Sequence, residues 1–258
     1  MNAIEASAIE LYNLQESQPQ GLSMDGMVHL VNNIIQYQHK MATEAHENIF
    51  DDMDDGVYNQ QVSDEDNSVY ESAKRCLAMF CRSWSLTSVS NHEKYPTSGD
   101  SSFSGSANLC SNSTVKAIVA CAQTLAKVSP LQGLDFMISC LLRRWPSRCT
   151  SRQLLFLRLI SVLLVQLASA NFYMDRFAQA VCDAFQRIRQ CILSPHILVA
   201  REACSLCDDV HLQHLFLLRD KCLLDMVSTA LHDNAKFHWN KQIQSLSDDK
   251  FDAMLDLL

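Results

Sequence analysis

The chain has 258 residues, of which 48% are hydrophobic and 19% charged, so it is long enough and apolar enough to bury a core. Six Gly and five Pro are too few for the frequent turns of an all-β protein, and the many helix-forming residues predict an all-α fold. The formal net charge of −8 argues against nucleic-acid binding, which requires a surplus of Lys and Arg.

The N-terminal half divides into four segments. The first 40 residues predict a pair of helices, because apolar residues recur at helical spacing on both sides of a break at Pro19 and Gly21. Residues 41–72 contain ten acidic residues and no Lys or Arg, which predicts a solvated, irregular insertion. Residues 73–84 predict one short helix. Residues 85–113, rich in Ser, Asn and Gly, predict a flexible insertion.

From residue 114 to residue 258 the apolar pattern has helical spacing throughout, without strand-like alternation. It predicts helical hairpins stacked into a solenoid, and the lack of a tight repeat consensus favours the degenerate HEAT class. The expected helices lie at about 115–126, 131–145, 151–168, 177–192, 199–210, 215–232 and 235–246.

Local signals predict where several of these helices begin. We expect Ser129 to be an N-cap with Pro130 at the first helical position, Thr150 or Ser151 to cap the next helix, and Ser194-Pro195 to restart the chain. The longest apolar run, residues 154–168, is shorter than the roughly 20 residues that span a bilayer. It predicts a buried helix and no membrane span.

Eleven Cys residues would suggest a disulfide scaffold in a small secreted protein, but this chain is large and shows no signal-peptide pattern. We expect reduced thiols and a cytoplasmic or nuclear location. Cys204, Cys207, His211 and His214 have a spacing that is similar to a zinc set. On one uninterrupted helix they would extend over about 15 Å, so we expect core packing, with a zinc- or thiol-dependent sensor as the alternative.

No sequence signature of an enzyme is present. The chain has no glycine-rich nucleotide loop, no H-E-x-x-H and no clustered Asp, His and Asn segments of a two-metal phosphatase, so neither catalysis nor a cofactor is expected.

Five Arg residues surround one predicted turn in this otherwise acidic chain. They are Arg143, Arg144, Arg148, Arg152 and Arg158. One interpretation is compensation of a helix dipole on a solvated face. The other is a docking patch for an acidic partner, because guanidinium groups form bidentate pairs with carboxylates.

Four stretches resemble the B-prime family of protein phosphatase 2A regulatory subunits, in the family's order. Leu141-Leu142-Arg143-Arg144-Trp145-Pro146 is similar to the family's Leu-Leu-Lys-Tyr-Trp-Pro, and residues 153–157 are similar to Glu-Val-Met-Phe-Leu. Residues 194–203 are similar to Ser-Pro-His-Phe-Gln-Val-Ala-Glu-Arg-Ala, and residues 235–243 to Ser-Lys-Ser-His-Trp-Asn-Lys-Thr-Ile. The resemblance covers residues 114–246, and the two insertions have no counterpart in the family.

The resemblance implies a curved solenoid of HEAT-like repeats that acts as a non-catalytic regulatory subunit, recruiting substrates or setting location. The implied partners are the phosphatase catalytic subunit, its HEAT-repeat scaffold subunit, and substrate or adaptor proteins. The alternative function is a HEAT-like structural scaffold of another multiprotein assembly. The candidate partner-interface residues are Arg143, Arg144, Arg148, His196, Arg201, His238, Trp239, Asn240 and Lys241.

Specific roles follow for some of these residues. We expect His196 to hold the start of its helix by a hydrogen bond and Trp239 to be a core or groove aromatic. His238, Asn240 and Lys241 are expected to present polar groups to a neighbour.

The resemblance also implies that the chain begins inside the family's solenoid and stops before its basic C-terminal helix. In the family, the groove for Leu-x-x-Ile-x-Glu peptides of substrates is built largely by helices at and before this point. The matching helix that remains has His29 where the family has Glu. We therefore expect this chain alone not to bind such peptides.

Overall fold

The computed structural model describes residues 24–50, 64–84, 113–170 and 175–256, and these residues are helical apart from the connecting turns. The predicted all-α class is confirmed. The helices in chain order are α1 (Met24–Phe50), α2 (Asp64–Ser83), α3 (Ser113–Val128), α4 (Pro130–Phe136, continued by π-helical turns at Met137–Leu142), α5 (Thr150–Ser169), α6 (Asp175–Ile192), α7 (Ile197–Leu206), α8 (Val210–Leu212, continued by Gln213–Leu217), α9 (Lys221–Phe237) and α10 (Lys241–Leu255).

The helices pack in two layers. In the first layer α1, α3, α5, α7 and α10 lie side by side in that order, and in the second layer α2, α4, α6 and α9 do the same. Helices that follow one another in the chain connect the layers, since α3 contacts α4, α6 contacts α7 and α9 contacts α10. This is the arrangement expected of a helical solenoid, in which each unit buries its apolar face against its neighbours.

The apolar stripes predicted from the sequence form the core between the layers. On α6, Val181, Phe185 and Ile188 are buried, and the half-buried Phe177 makes an edge contact with Phe216. Two helices approach closely at Gly133 of α4, where a Cβ atom would lie 2.7 Å from Ala126 of α3. The two backbones can approach this closely because glycine has no side chain.

Helix α5 extends the predicted apolar run to 20 residues, so length alone does not exclude a membrane span. Among the described residues it is the one helix that is long and apolar enough to cross a bilayer. Most of it is buried inside the stack, where it contacts α3, α4 and α7. Burial of this kind is typical of the core helix of a folded domain.

The prediction of an irregular acidic insertion at residues 41–72 is wrong at both ends. Helix α1 continues to Phe50, and α2 begins at Asp64 rather than at residue 73. Acidic residues are in general favoured in the first turn of a helix, so a run of acidic residues in a sequence does not by itself indicate an irregular segment. Farther along, Lys74 donates to Asp135 of α4 at 2.7 Å and connects α2 to α4 within the second layer.

Two of the predicted segments lie mostly or entirely outside the described residues. These are the first helix of the N-terminal pair and the Ser-rich insertion at 85–113, of which only Ser113 is described, as the first residue of α3.

Two predicted N-caps differ from the structure in detail. Ser129 is the N-cap of α4, with Pro130 next, but its side chain makes no capping hydrogen bond. The N-cap of α5 is Cys149, not Thr150 or Ser151. Hydroxyl residues are common caps, but here the Gln153 N–H donates to the Cys149 carbonyl at 3.0 Å, so the helical hydrogen bonds begin one residue earlier.

Three predicted helices near the C-terminus are interrupted. The helix expected at 199–210 ends at Leu206, and Val210 begins α8 as an exposed residue. The side chain of Asp220 accepts hydrogen bonds from backbone N–H groups and starts α9, which breaks the helix expected at 215–232. The helix expected at 235–246 is broken at His238, where the backbone becomes extended. Apolar periodicity continues across these breaks, and only the capping side chains mark them.

Candidate partner-binding edge

The turn before α7 is held by backbone groups. His196 is the N-cap of α7, but its imidazole makes no capping hydrogen bond and the residue is exposed. Its backbone N–H donates to Ser194 Oγ at 3.2 Å, and its carbonyl accepts from the N–H groups of Val199 and Ala200 at 3.0 Å. The predicted hydrogen bond at the helix start is therefore made by the His196 backbone, which leaves the ring on the surface.

The turn before α10 is fastened to the turn before α7 by His238, which is buried. The Asn240 N–H donates to His238 Nδ1 at 3.0 Å, so Nδ1 is an acceptor and the ring proton belongs on Nε2. The Nε2–H then donates to the Ser194 carbonyl at 3.2 Å. His238 is a structural tie between the turns, and the prediction that it presents a polar group to a partner is wrong.

Trp239 lies on the surface, with 66% of its area exposed, so the predicted core position is wrong, and the alternative of a groove aromatic stays a prediction. Its indole Nε1–H donates to the Pro195 carbonyl at 2.8 Å, and its ring stacks on His238 with 5.8 Å between ring centroids. These two contacts fix the orientation of a large exposed aromatic ring. A fixed aromatic ring can bind a partner with little loss of conformational entropy.

The remaining predicted residues near this turn have separate roles. Asn240 is the N-cap of α10, and its Oδ1 accepts from the backbone N–H groups of Gln242 and Ile243 at 3.0 and 3.2 Å. Lys241 is exposed and donates to Gln244 Oε1 at 2.9 Å. Arg201 is half-buried on α7.

A third turn joins α4 to α5. Trp145 makes an edge contact with Phe156, with 6.0 Å between centroids, and the guanidinium of Arg187 lies 5.0 Å from its ring centroid. Gln153 Nε2 donates to the Pro146 carbonyl at 3.1 Å, and Arg144 is exposed on the same turn. These contacts hold Trp145 and Pro146 in place at the turn.

Burial raises the pKa of the Cys149 thiol, but its hydrogen bond to Ser151 and the nearby Arg152 outweigh this effect, and the pKa is lowered overall.

The predicted Arg cluster separates into two groups. Arg143, Arg144 and Arg148 are exposed on the turn between α4 and α5. Arg152 donates to the Trp84 carbonyl at 3.3 Å, and Arg158 pairs at 2.8 Å with Glu202, which is buried. The first three can meet a partner, whereas the last two connect helices within the stack.

The three turns lie toward one end of α6. Arg143 shares a groove with Gln190, and Ser194 follows Gln190 by about one helical turn. Since His238 and Trp239 bind the turn of Ser194, residues 143–149, 193–196 and 238–240 form one edge of the stack, called here the turn edge.

Comparison with known proteins identifies the family of the part of the chain that forms this edge. The model of the family "Protein phosphatase 2A regulatory B subunit (B56 family)" matches residues 116–257, more than half of the chain. The chain belongs to the B56 family. The match contains all three turns of the edge.

Individual relatives of this B56-family chain cover a smaller part of it. The B' gamma isoform of the 59 kDa regulatory subunit of serine/threonine protein phosphatase 2A from Arabidopsis thaliana is 29% identical over 44% of this chain and 21% of the relative. A B' kappa isoform of Oryza sativa is 29% identical over 46% of the chain and 23% of its own length. The Homo sapiens 56 kDa beta isoform is 29% identical over 43% and 22%. The chain matches about a fifth of the length of these relatives.

Phe237 is an exposed aromatic residue that the sequence analysis missed. It ends α9, two residues before Trp239, and 79% of its area is exposed. The signal was a departure from the family: the segment that resembles residues 235–243 has Ser at this position. An aromatic ring in place of Ser adds apolar surface next to Trp239 on the turn edge.

The Cys and His residues with zinc-like spacing are not brought together in this B56-family chain. Cys204 and Cys207 are buried, whereas His211 and His214 are exposed. Burial raises the pKa of both thiols, to about 11 for Cys204, which opposes the thiolate form that binds metals. The core packing predicted for the two Cys is confirmed, although the helix that was assumed to carry all four residues ends at Leu206.

Proposed function

We propose that this chain is a non-catalytic regulatory subunit of protein phosphatase 2A, which recruits substrates or sets the location of the enzyme. The observation that carries this proposal is the match of the B56 model to the part of the chain that forms the turn edge. The names of the relatives, all regulatory subunits of that phosphatase, point to the same role.

We further propose that the turn edge binds the phosphatase catalytic subunit or its scaffold subunit. Aromatic and Arg side chains are the residue types that contribute most to protein interfaces. Trp239 and Phe237 supply exposed rings at this edge, and Arg144 and Arg148 supply exposed cations. The hydrogen bonds of His238 and Trp239 fix the edge before binding, which lowers the entropy lost on association.

In this proposal the chemistry belongs to the partner. The chain contributes proximity, because a substrate held beside the catalytic subunit has a high effective concentration there. Substrate or adaptor proteins would bind surfaces other than the turn edge.

Co-purification tests the proposal. A tagged chain should recover the catalytic and scaffold subunits from a cell extract. Trp239→Ala should reduce recovery by tens of fold, because loss of an interface anchor costs about 2 kcal/mol or more. Arg144→Glu with Arg148→Glu should reduce recovery and make the remainder less sensitive to salt.

The matched control is Arg219→Glu. Arg219 is exposed and lies before α9, whereas the turn edge lies after it, about 25 Å away along the helix. If the edge variants recover the phosphatase subunits as well as the parent chain does, the turn edge is not the interface. Recovery of a different assembly without phosphatase subunits would instead favour the structural-scaffold alternative.

A further inference from the structure

A groove of about 420 Å³ lies in the second layer, between the end of α4 and one face of α6. Its α6 residues recur every three or four positions, so they form a single stripe along the helix. Arg176 and Arg187 lie near the two ends of this stripe, and Arg143 of the α4–α5 turn faces it. The groove therefore presents three guanidinium groups in a chain whose net charge is −8.

The acidic groups around the groove do not cancel this charge. Asp183 is its one acidic lining residue and accepts a hydrogen bond from Gln179 at 3.0 Å. Asp135 lies 4.0 Å from Arg176, but the Asp135 carboxylate also binds Lys74 at 2.7 Å. Three cationic lining residues against one acidic residue leave a net charge of +2.

The groove floor is apolar and its rim is polar. Leu142 and Ala180 are buried and Ile138 is half-buried, so the floor offers aliphatic contact. At the rim Arg187 is held in place, since its guanidinium stacks over Trp145 and donates to Gln190 Oε1 at 2.7 Å. An apolar floor below fixed cations suits an extended peptide that alternates aliphatic and acidic side chains.

The spacing of the cations sets the spacing of the ligand's charges. Arg176 and Arg187 are three helical turns apart, or about 17 Å along the α6 axis. An extended chain advances about 3.3 Å per residue, so this distance corresponds to about five residues. We propose that the groove binds an extended acidic segment of a partner protein, with carboxylates about five residues apart. The groove adjoins the turn edge and shares Arg143 with it, but most of its lining residues lie on α6, and the proposal does not rest on phosphatase binding.

Titration of the purified chain with a fluorescent peptide tests the proposal. The probe has Glu at positions one and six and aliphatic residues between them, and the control peptide has Gln at both positions. We expect saturable binding of the Glu peptide only. Raising the salt from about 0.1 M to about 1 M should weaken binding, because screening lengths fall from about 10 Å to 3 Å.

Variants decide whether the groove is the site. Arg143→Glu with Arg176→Glu should weaken binding about tenfold or more without changing helicity, because both residues are exposed. Arg219→Glu, outside the groove, should leave binding unchanged. Equal loss in both variants, or no saturable binding by the parent chain, would overturn the proposal.

The chain's own acidic segment is the competing occupant. If the parent chain fails to bind the peptide, but a variant with Asn at Asp51, Asp52, Asp54 and Asp55 binds it, that segment fills the groove and the external partner is ruled out. Failure of the peptide titration would leave the co-purification result untouched, so the two proposals are tested separately.

Discussion

At the scale of single residues, the turns that define the candidate edge depend on three side chains that satisfy backbone groups. His238 binds one turn to another, Trp239 binds the Pro195 carbonyl, and Asn240 caps α10. None of these contacts requires Trp239 to be buried. A residue can therefore be structurally fixed and still present its ring to a partner.

The buried thiols give a pH dependence whose sign follows from their shifted pKa values. Burial raises the pKa of Cys121 and Cys191 from 9.0 to about 12 and that of Cys204 to about 11. In the unfolded chain these thiols ionise near 9.0, while in the folded chain they stay neutral until pH 11 to 12. The folded state therefore loses stability as pH rises through this window.

We expect the free energy of unfolding to fall above pH 9 by roughly 1.4 kcal/mol per pH unit for each such thiol. Urea unfolding between pH 8 and 10.5 measures this slope. Cys121→Ala with Cys191→Ala should reduce this slope, with Cys204 still contributing, and an unchanged slope would show that the two replaced thiols are not buried as described.

Some residue roles could be predicted from the sequence and others could not. Burial of Cys204 and Cys207 was expected because the four residues with zinc-like spacing would extend too far along one helix to bind a metal. The exposure of Trp239 could not be predicted, because Trp side chains are usually mostly buried. Its ring is held at the surface by the hydrogen bond to the Pro195 carbonyl, which only the tertiary structure shows. His238 shows the opposite error, since a polar residue was expected on the surface and is buried with both ring nitrogens satisfied.

At the scale of elements, the helices were predictable where one apolar face meets the core and less so at their ends. The α6 stripe indicated the helix and its buried face, because 3.6-residue periodicity is a direct result of one-sided burial. The break at His238 was missed because apolar spacing continues into α10. Residues at the end of α1 and the start of α2 were assigned to an irregular segment, although a high density of acidic residues in the sequence does not by itself prevent helix formation.

The buried face of α6 can be tested with a matched pair of substitutions. Ile188→Asp should lower the free energy of unfolding by several kcal/mol, since Ile188 is 2% exposed and the new carboxylate has no partner. Ala178→Asp introduces the same charge at an exposed position of α6 and should cost less than about 0.5 kcal/mol. Chemical denaturation of both variants gives the comparison, and equal stability would contradict the assigned core.

At the scale of the whole molecule, the surfaces buried between the two layers differ from those that stay exposed. The helices bury their apolar faces between the layers, so the turns at one end and the outer face of α6 remain exposed. The turn edge carries aromatic rings and exposed Arg side chains, while the groove on α6 carries the proposed acidic-peptide site. Under the proposed function, the chain holds a phosphatase subunit at the turn edge and a second protein at the groove.

The architecture as a whole was predictable because composition and periodicity leave few alternatives to stacked helices. The positions of the turns relative to one another were not, since residues 44 positions apart meet only through the fold. The resemblance to the family, in contrast, is visible in short sequence segments at these turns, and the family match over residues 116–257 confirms it.

The most direct measurement of the central claim is the mass of the complex formed by purified components. The chain is mixed at micromolar concentration with the purified catalytic and scaffold subunits of protein phosphatase 2A, and the mixture is examined by size-exclusion chromatography with light scattering. If the chain is a regulatory subunit, the mass of the phosphatase core will increase by 29.1 kDa, and Trp239→Ala will weaken the complex. Separate elution of chain and core, with the chain fully helical, would contradict the account.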